Sequence, residues 1–147
     1  MRRIFAAVVL AVCFCPVSAQ FLSESEFLSV KAAKASVRAE PSKEGDFLWT
    51  LWKFMPVEVL SYKEGWGRIR DLDGDQGWVK RELLCETATV MVSAKQAQLR
   101  DKPDGKALWA LDRGYPLRVF GEKGDWVEVS DLGSVSGWLP KGSVWGA

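Results

Sequence analysis

The sequence predicts an all-β protein of two small tandem barrels behind an N-terminal export segment, and three observations carry that prediction. The first is a repeat. Gly65-Trp66 opens a strand-like run, Asp71 to Asp75 makes a polar turn, and Gly77-Trp78-Val79 closes the return. Sixty residues later the pattern recurs as Gly124-Asp125-Trp126, Asp131 and Gly137-Trp138-Leu139. Self-similarity at a fixed period is the mark of a duplicated structural unit. The second observation is how far the register extends. Pro56-Val57-Glu58-Val59 matches Pro116-Leu117-Arg118-Val119, and Trp49-Thr50-Leu51 matches Trp109-Ala110-Leu111. Upstream, Val37-Arg38 with Pro41 matches Leu99-Arg100 with Pro103 at an offset of sixty-two. The shift falls at Ser42 to Gly45 against the shorter Asp104-Gly105, and length changes belong in surface loops. The third is texture: short runs of Val, Ile, Leu and Trp broken by Gly, Pro and Asp, with no helical period after Ala39.

Along the chain, Met1-Arg2-Arg3 is followed by an apolar run from Ile4 to Phe14 and by Val17-Ser18-Ala19. A basic start, a short apolar core and a small-residue site read as a secretory signal peptide over 1–19, cleaved after Ala19. The run falls short of the roughly 20 residues that span a bilayer, which disfavours a retained anchor. Val12 stands where a lipid anchor on Cys13 would want a small residue. Of 20 Lys and Arg, Arg2 and Arg3 leave with this segment, so 18 face 19 Asp and Glu, a mature charge of −1. That balance gives a nucleic-acid partner no basic face, and no polybasic run would hold a membrane surface after cleavage. Cys13 and Cys15 also leave, so Cys85 has no internal partner. Buried, free or linked to a second chain are its options, in that order, and a monomer is preferred to a Cys85-linked dimer.

Residues 20–29 read as a lead-in that is at most partly ordered, followed by repeat one over 30–84, a linker over 85–89 and repeat two over 90–147. The linker has no Pro or Gly, so the barrels are expected to touch. Alternation at period two points Val57, Val59, Ile69 and Val79 inward, with Leu117, Val119, Val127, Val129 and Leu139 in the second copy. The same alternation puts Trp66 and Trp126 on the outer face. There they either pack beneath a neighbouring loop or form an aromatic platform for a ligand. Trp49, Trp78, Trp109 and Trp138 read as structural. Repeat one also carries Trp52, Phe54 and Met55 on a turn where repeat two has Asp112-Arg113-Gly114-Tyr115. Such an apolar turn is covered either by the other barrel or by a partner protein.

Catalysis lacks parts. There is no His, so neither a Ser-His-Asp or Cys-His arrangement nor a His-ligated zinc site can be built, and Cys85 lacks a base. The carboxylates are scattered over turns. Asp71, Asp73, Asp75 and Glu82 have calcium-loop spacing, but Gln76 stands at the required Gly and no helices flank the segment. No metal and no cofactor is expected.

The motifs together, Val-Arg-x-x-Pro, a Gly-Tyr-Pro or Phe-Met-Pro turn, and the paired Gly-Trp elements, resemble the bacterial SH3-like domain in tandem, from about Val30 to Trp145. The resemblance implies SH3-like barrels. It also implies a periplasmic or secreted, cell-envelope module that binds peptidoglycan or peptide partners and often accompanies wall hydrolases. It places Trp66 and Trp126 at the groove Trp and Pro140 at the groove Pro. Lys80 replaces that Pro in repeat one, and Leu83 and Ser143 replace the usual Tyr, which argues against recognition of polyproline segments. Phe54 stands where the family has a turn Gly, as Gly114 does, which opens that turn to remodelling. The expected function is non-catalytic binding of peptidoglycan stem peptides or an envelope protein. The expected site is Trp66 with Arg68 and Arg70, and Trp126 with Glu128, beside the loops Pro41 to Gly45 and Pro103 to Gly105. Repeat one would favour acidic ligands, because Arg holds a carboxylate through two hydrogen bonds. The alternative is a structural or inhibitory subunit held to one protein by Trp52, Phe54 and Met55.

Overall fold

The computed structural model describes residues 25–146, so the export segment 1–19 and its cleavage site lie outside the described residues. Strands β1 (Glu26–Val30), β2 (Lys34–Arg38), β3 (Phe47–Trp52), β4 (Pro56–Lys63), β5 (Trp66–Arg70), β6 (Gln76–Lys80) and β7 (Leu84–Cys85) form one sheet. Strands β8 (Thr89–Val92), β9 (Gln96–Arg100), β10 (Ala107–Asp112), β11 (Pro116–Lys123), β12 (Trp126–Ser130), β13 (Ser136–Pro140) and β14 (Val144–Gly146) form the other. The orders are β3-β2-β6-β5-β4-β1-β7 and β10-β9-β13-β12-β11-β8-β14, so each strand of the second copy takes the place of the strand seven before it. All pairings are antiparallel. Among the described residues the only helical pieces are two 3-10 turns, Arg81–Leu83 and Lys141–Ser143. The all-β reading stands.

The period-two assignment locates both cores. Val57, Ile69 and Val79 are fully enclosed in the first barrel, as are Leu117, Val129 and Leu139 in the second, while Val119 packs half-buried against its edge. Each such side chain contributes about 1.5–3 kcal/mol when removed from water. The Gly-Trp closures have a steric cause. A Cβ on Gly77 would lie 2.3 Å from Val37 Cγ1, and one on Gly137 would lie 2.4 Å from the Arg100 carbonyl oxygen. Only a bare backbone lets β6 meet β2, and β13 meet β9, where Arg38 opposes Trp78 and Arg100 opposes Trp138.

The tight turns also explain themselves. Lys63 pairs with Trp66 across Glu64 (φ 50°) and Gly65 (φ 83°), two left-handed residues whose twist matches the strands. In the second barrel only Gly124 is left-handed (φ 56°), so the glycine has moved to the first position and a mirror-type turn of the other kind results. Phe54 does not remodel its turn. It takes φ 70° where Gly114 takes 90°, with Phe54 N–H on the Val30 carbonyl as Gly114 N–H is on that of Val92.

Four features depart from the sequence reading. The first barrel takes in more of the chain than the span from Val30: β1 begins at Glu26 and pairs with both β4 and β7, and Leu28 and Ser29 are buried. The apolar residues of the lead-in were too few to show a period. Glu58, which alternates with the inward Val57 and Val59, is nevertheless only 6% exposed and is held by Arg70 through Nε at 2.8 Å and Nη2 at 2.5 Å. Trp109, taken as structural, is 52% exposed. The Trp52, Phe54 and Met55 turn is not one patch. Met55 packs on the first core with its Sδ accepting the Trp52 N–H, Phe54 is half-buried, and Trp52 stays 54% exposed.

The barrels touch. Arg113 reaches Asp73 at 3.0 Å, and Phe27 meets Trp145 edge-on with ring centroids 5.1 Å apart. The join Glu86–Ala88 is exposed but held at both ends: Ser29 Oγ donates to the Thr87 carbonyl, and Val119 N–H to that of Ala88. The contacts are reciprocal. Leu72 and Asp73 of the first barrel line a cavity of about 310 Å³ with Arg113 and Gly114 of the second. Leu132, the counterpart of Leu72, lines another of about 260 Å³ with Lys53 and Phe54, the counterparts of Arg113 and Gly114.

Candidate functional site

The outer face of β5 does not present an open aromatic platform. Trp66 lies on that face, but neighbouring side chains roof it and it is only 9% exposed. It forms the floor of a cleft of about 470 Å³ lined by Lys34, Ser36 and Arg38 from β2, Lys43 from the β2–β3 loop, Lys80 at the end of β6 and Leu83 beyond it. Alternation along β2 buries Ala35 and Val37 and so turns Lys34, Ser36 and Arg38 to the cleft side. A second hollow of similar size adjoins across Trp66 and Lys80 and adds Lys31 and Arg81. Arg38 also clamps the loop, donating from Nη1 to the Gly45 carbonyl at 2.9 Å.

The second barrel builds the same cleft from other residues. Half-buried Trp126 floors about 430 Å³ lined by Gln96, Gln98, Arg100, Asp104, Pro140 and Ser143. Arg100 clamps its loop as Arg38 does, with Nη1 on the Gly105 carbonyl at 2.8 Å. Where the first cleft has Lys34, Lys43 and Lys80, the second has Gln96, Asp104 and Pro140. The first is cationic; the second is close to neutral.

Of the residues expected from sequence, Trp66, Trp126 and Pro140 line these clefts. Arg70 is not free for a ligand, being the partner of Glu58. Arg68 is exposed but lines neither cleft, and Glu128 is half-buried on β12 against Trp138. Sequence reasoning missed Lys34, Arg38 and Lys43. For Lys34 and Arg38 the signal was present in the alternation of β2, whose polar positions share the side of the barrel that carries Trp66; Lys43 lies on the β2–β3 loop, where alternation gives no signal. Lys80 was visible as the departure at the groove Pro.

The acidic turns act as structure. Asp71 Oδ1 accepts the backbone N–H groups of Asp73 and Asp75, and Asp131 Oδ1 those of Gly133 and Val135. Asp73 is held by Arg113, so the three aspartates do not converge on a cation. Burial raises the Asp71 carboxyl and outweighs its backbone hydrogen bonds. At Asp131 burial also raises the carboxyl, but the Tyr115 hydroxyl at 2.8 Å and the backbone N–H groups win and hold it below the usual range. Cys85 is a half-buried free thiol 3.3 Å from Ser29 Oγ. Burial works against its ionisation, yet contacts with Ser29, Thr87 and Lys31 leave it lowered on balance.

Two small barrels, each with a clamped loop over a tryptophan-floored cleft, define a protein of the SH3-like barrel class. The bacterial SH3 domain family model matches residues 31–86 and again 93–146, and the chain belongs to that family as a tandem pair. It is similar to an uncharacterised protein, YfhK, of Bacillus subtilis (strain 168), at 28% identity over 80% of this chain and 73% of that one. Among solved structures, an NlpC/P60 family protein from Bacillus cereus aligns at 13% identity and TM-score 0.40, over 82% of this chain and 56% of that one. NlpC2 from Trichomonas vaginalis aligns at 13% identity and TM-score 0.36, and this chain spans 49% of it. The endolysin LysPBC5 CBD aligns at 16% identity and TM-score 0.34, over 80% of this chain and 90% of that one.

Proposed function

We propose that this protein is an exported, non-catalytic binding module of the cell envelope, and that its first barrel takes the carboxylate-bearing stem peptides of peptidoglycan in the Trp66 cleft. The observation that carries the reading is the contrast between the clefts. Lys34, Arg38, Lys43 and Lys80 surround an indole in one barrel, while Gln, Asp and Pro replace the three lysines in the other. A cationic cleft over an aromatic floor suits a short peptide bearing carboxylates: hydrogen bonds from charged donors contribute about 1.5–3 kcal/mol each. A non-catalytic role fits a chain without His in which buried Glu58 is engaged by Arg70 and half-buried Asp131 by Tyr115 and its own turn. Exposed Trp52 and Phe47 favour a second reading, an envelope protein held on the apolar flank of the first barrel.

The test is co-sedimentation with purified peptidoglycan, beside capture from envelope protein extract, for wild type and for Lys34→Gln with Lys80→Pro. These residues are those of the second cleft. Lys80 already has φ −60°, as Pro140 has −61°, so the backbone accepts the change. Wall binding should fall by about tenfold or more, equivalent to about 1.4 kcal/mol, and should weaken with salt. Wall binding that the double variant leaves unchanged refutes the cleft. Capture of a single envelope protein without wall affinity selects the second reading.

A further inference from the structure

Strand β10 is a sheet edge guarded by neither charge nor cover. It pairs with β9 on one side only, and among the described residues no strand pairs with its other side. Ala107, Leu108, Trp109 and Ala110 are all exposed in sequence, Leu108 at 44% and Trp109 at 52%. Natural sheets protect such edges with charge, proline or cover, because a row of free backbone N–H and C=O groups templates pairing with another strand. This edge carries no charge between Lys106 and Asp112. Its one protection is a bulge between Ala107 and Trp109, beyond which Trp109–Asp112 run in regular register. The counterpart in the first barrel is treated differently. On β3, Trp49 and Thr50 are half-buried and line the inter-barrel cavity with Met91, Arg113 and Gly114.

We infer that β10 pairs antiparallel with β10 of a second copy of this chain, joining the two sheets across a twofold axis at Trp109. The sequence around the axis selects that occupant and that register. Pairing centred on Trp109 sets Leu108 against Ala110 and Ala107 against Leu111, and it brings Lys106 opposite Asp112 at both ends. Opposite charges facing across strands stabilise a pair and like charges oppose it. A slip that centres the pair on Leu108 sets Lys106 against Ala110, and one that centres it on Ala110 sets Asp112 against Leu108, so either loses both ion pairs. A twofold interface is self-complementary by construction, so a residue and its partner appear twice. Asp112 can still accept: among the described residues its one side-chain hydrogen bond is from Gln96 Nε2 at 3.3 Å. Cys85 takes no part in this contact.

The experiment is sedimentation equilibrium of the mature chain over a concentration series, with four variants followed by circular dichroism. Wild type should pass from monomer to dimer as concentration rises. Leu108→Lys, at an exposed position, should remain monomeric with an unchanged spectrum. Lys106→Asp should weaken the dimer at least tenfold, and Lys106→Asp combined with Asp112→Lys should restore it, because the swap rebuilds both ion pairs. In a Cys85→Ser background, Trp109→Cys should form an oxidised dimer across the axis. A wild type that stays monomeric to millimolar concentration overturns the inference. So does a dimer that survives Leu108→Lys, or a charge swap that fails to rescue Lys106→Asp.

Discussion

Adding one methyl group at Gly137 should damage the second barrel more than the same change at Gly77 damages the first. The Cβ at Gly137 would lie 2.4 Å from the Arg100 carbonyl oxygen, with Leu99 Cγ at 3.1 Å. Ordinary contact needs roughly another ångström, and a carbonyl inside a strand can move only if β13 and β9 part where they close the barrel. The cost should reach the upper end of core overpacking, about 3 kcal/mol. For a domain of this size that lowers the melting temperature by about 12–24 °C. At Gly77 the nearest atom is Val37 Cγ1 at 2.3 Å, a side chain, with the Arg38 carbonyl oxygen at 3.2 Å. Gly77→Ala should therefore cost about 2 kcal/mol. It should also be strongly non-additive with Val37→Ala, because each change relieves the defect of the other. Calorimetry on the single and double variants provides the measurement. A melting temperature within ~2 °C of wild type for Gly137→Ala, or strict additivity of Gly77→Ala with Val37→Ala, would refute the close-approach account.

Arg70→Ala should cost about 2 kcal/mol, since it strips the partner from the buried Glu58 carboxylate while half of Arg70 is already in water; denaturant titration reads it. The Glu58 carboxyl is lowered by Ser25 first and then by Arg70, against the desolvation that raises it. A depressed carboxyl stabilises above its unfolded value and loses that contribution as pH falls through the folded one. The first barrel should therefore lose stability below about pH 4.3, and Arg70→Ala should flatten that slope. The turn aspartates should behave oppositely to each other. Asp131→Asn should cost about 1 kcal/mol at neutral pH, while Asp71→Asn, which removes a charge that burial penalises, should stay within about 0.5 kcal/mol of wild type or gain. Equal losses at both would contradict the directions of their shifts. Arg113→Ala should change stability by less than about 1 kcal/mol, because both ends of its bridge to Asp73 are exposed; a larger loss of cooperativity in melting would show that the bridge couples the barrels.

The fold was legible because the barrel's demands are local. Gly77 and Gly137 announce a close approach, Asp71 and Asp131 announce turns, and alternation on β4, β5, β11 and β12 names the inward valines and leucines. The site was legible in part. Trp66 and Trp126 stand out by repetition, but alternation gives only the side of the strand. Whether a side chain on that side is open or roofed depends on β2 and the β2–β3 loop, which come from elsewhere in the chain. Arg70 illustrates the same limit. As one of two arginines beside Trp66 it reads as a ligand hook, and only the burial of Glu58 on the neighbouring strand shows where its guanidinium is held. Trp49 and Trp109 are equivalent in sequence, and they differ because the barrels' mutual packing half-buries one and leaves the other in water.

The pairing of β1 with β7 has a consequence for how such a chain bears load and how it multiplies. Ser29 faces Cys85 and Val30 faces Leu84, antiparallel, so the chain enters and leaves the barrel at neighbouring points. Tension applied through the two ends therefore opens that short ladder one bond at a time, like a zip, and does not load all its bonds together. The same geometry makes the barrel easy to copy. A unit whose entrance adjoins its exit can be spliced in tandem without displacing what surrounds it, and here the three residues Glu86–Ala88 suffice to start the next one.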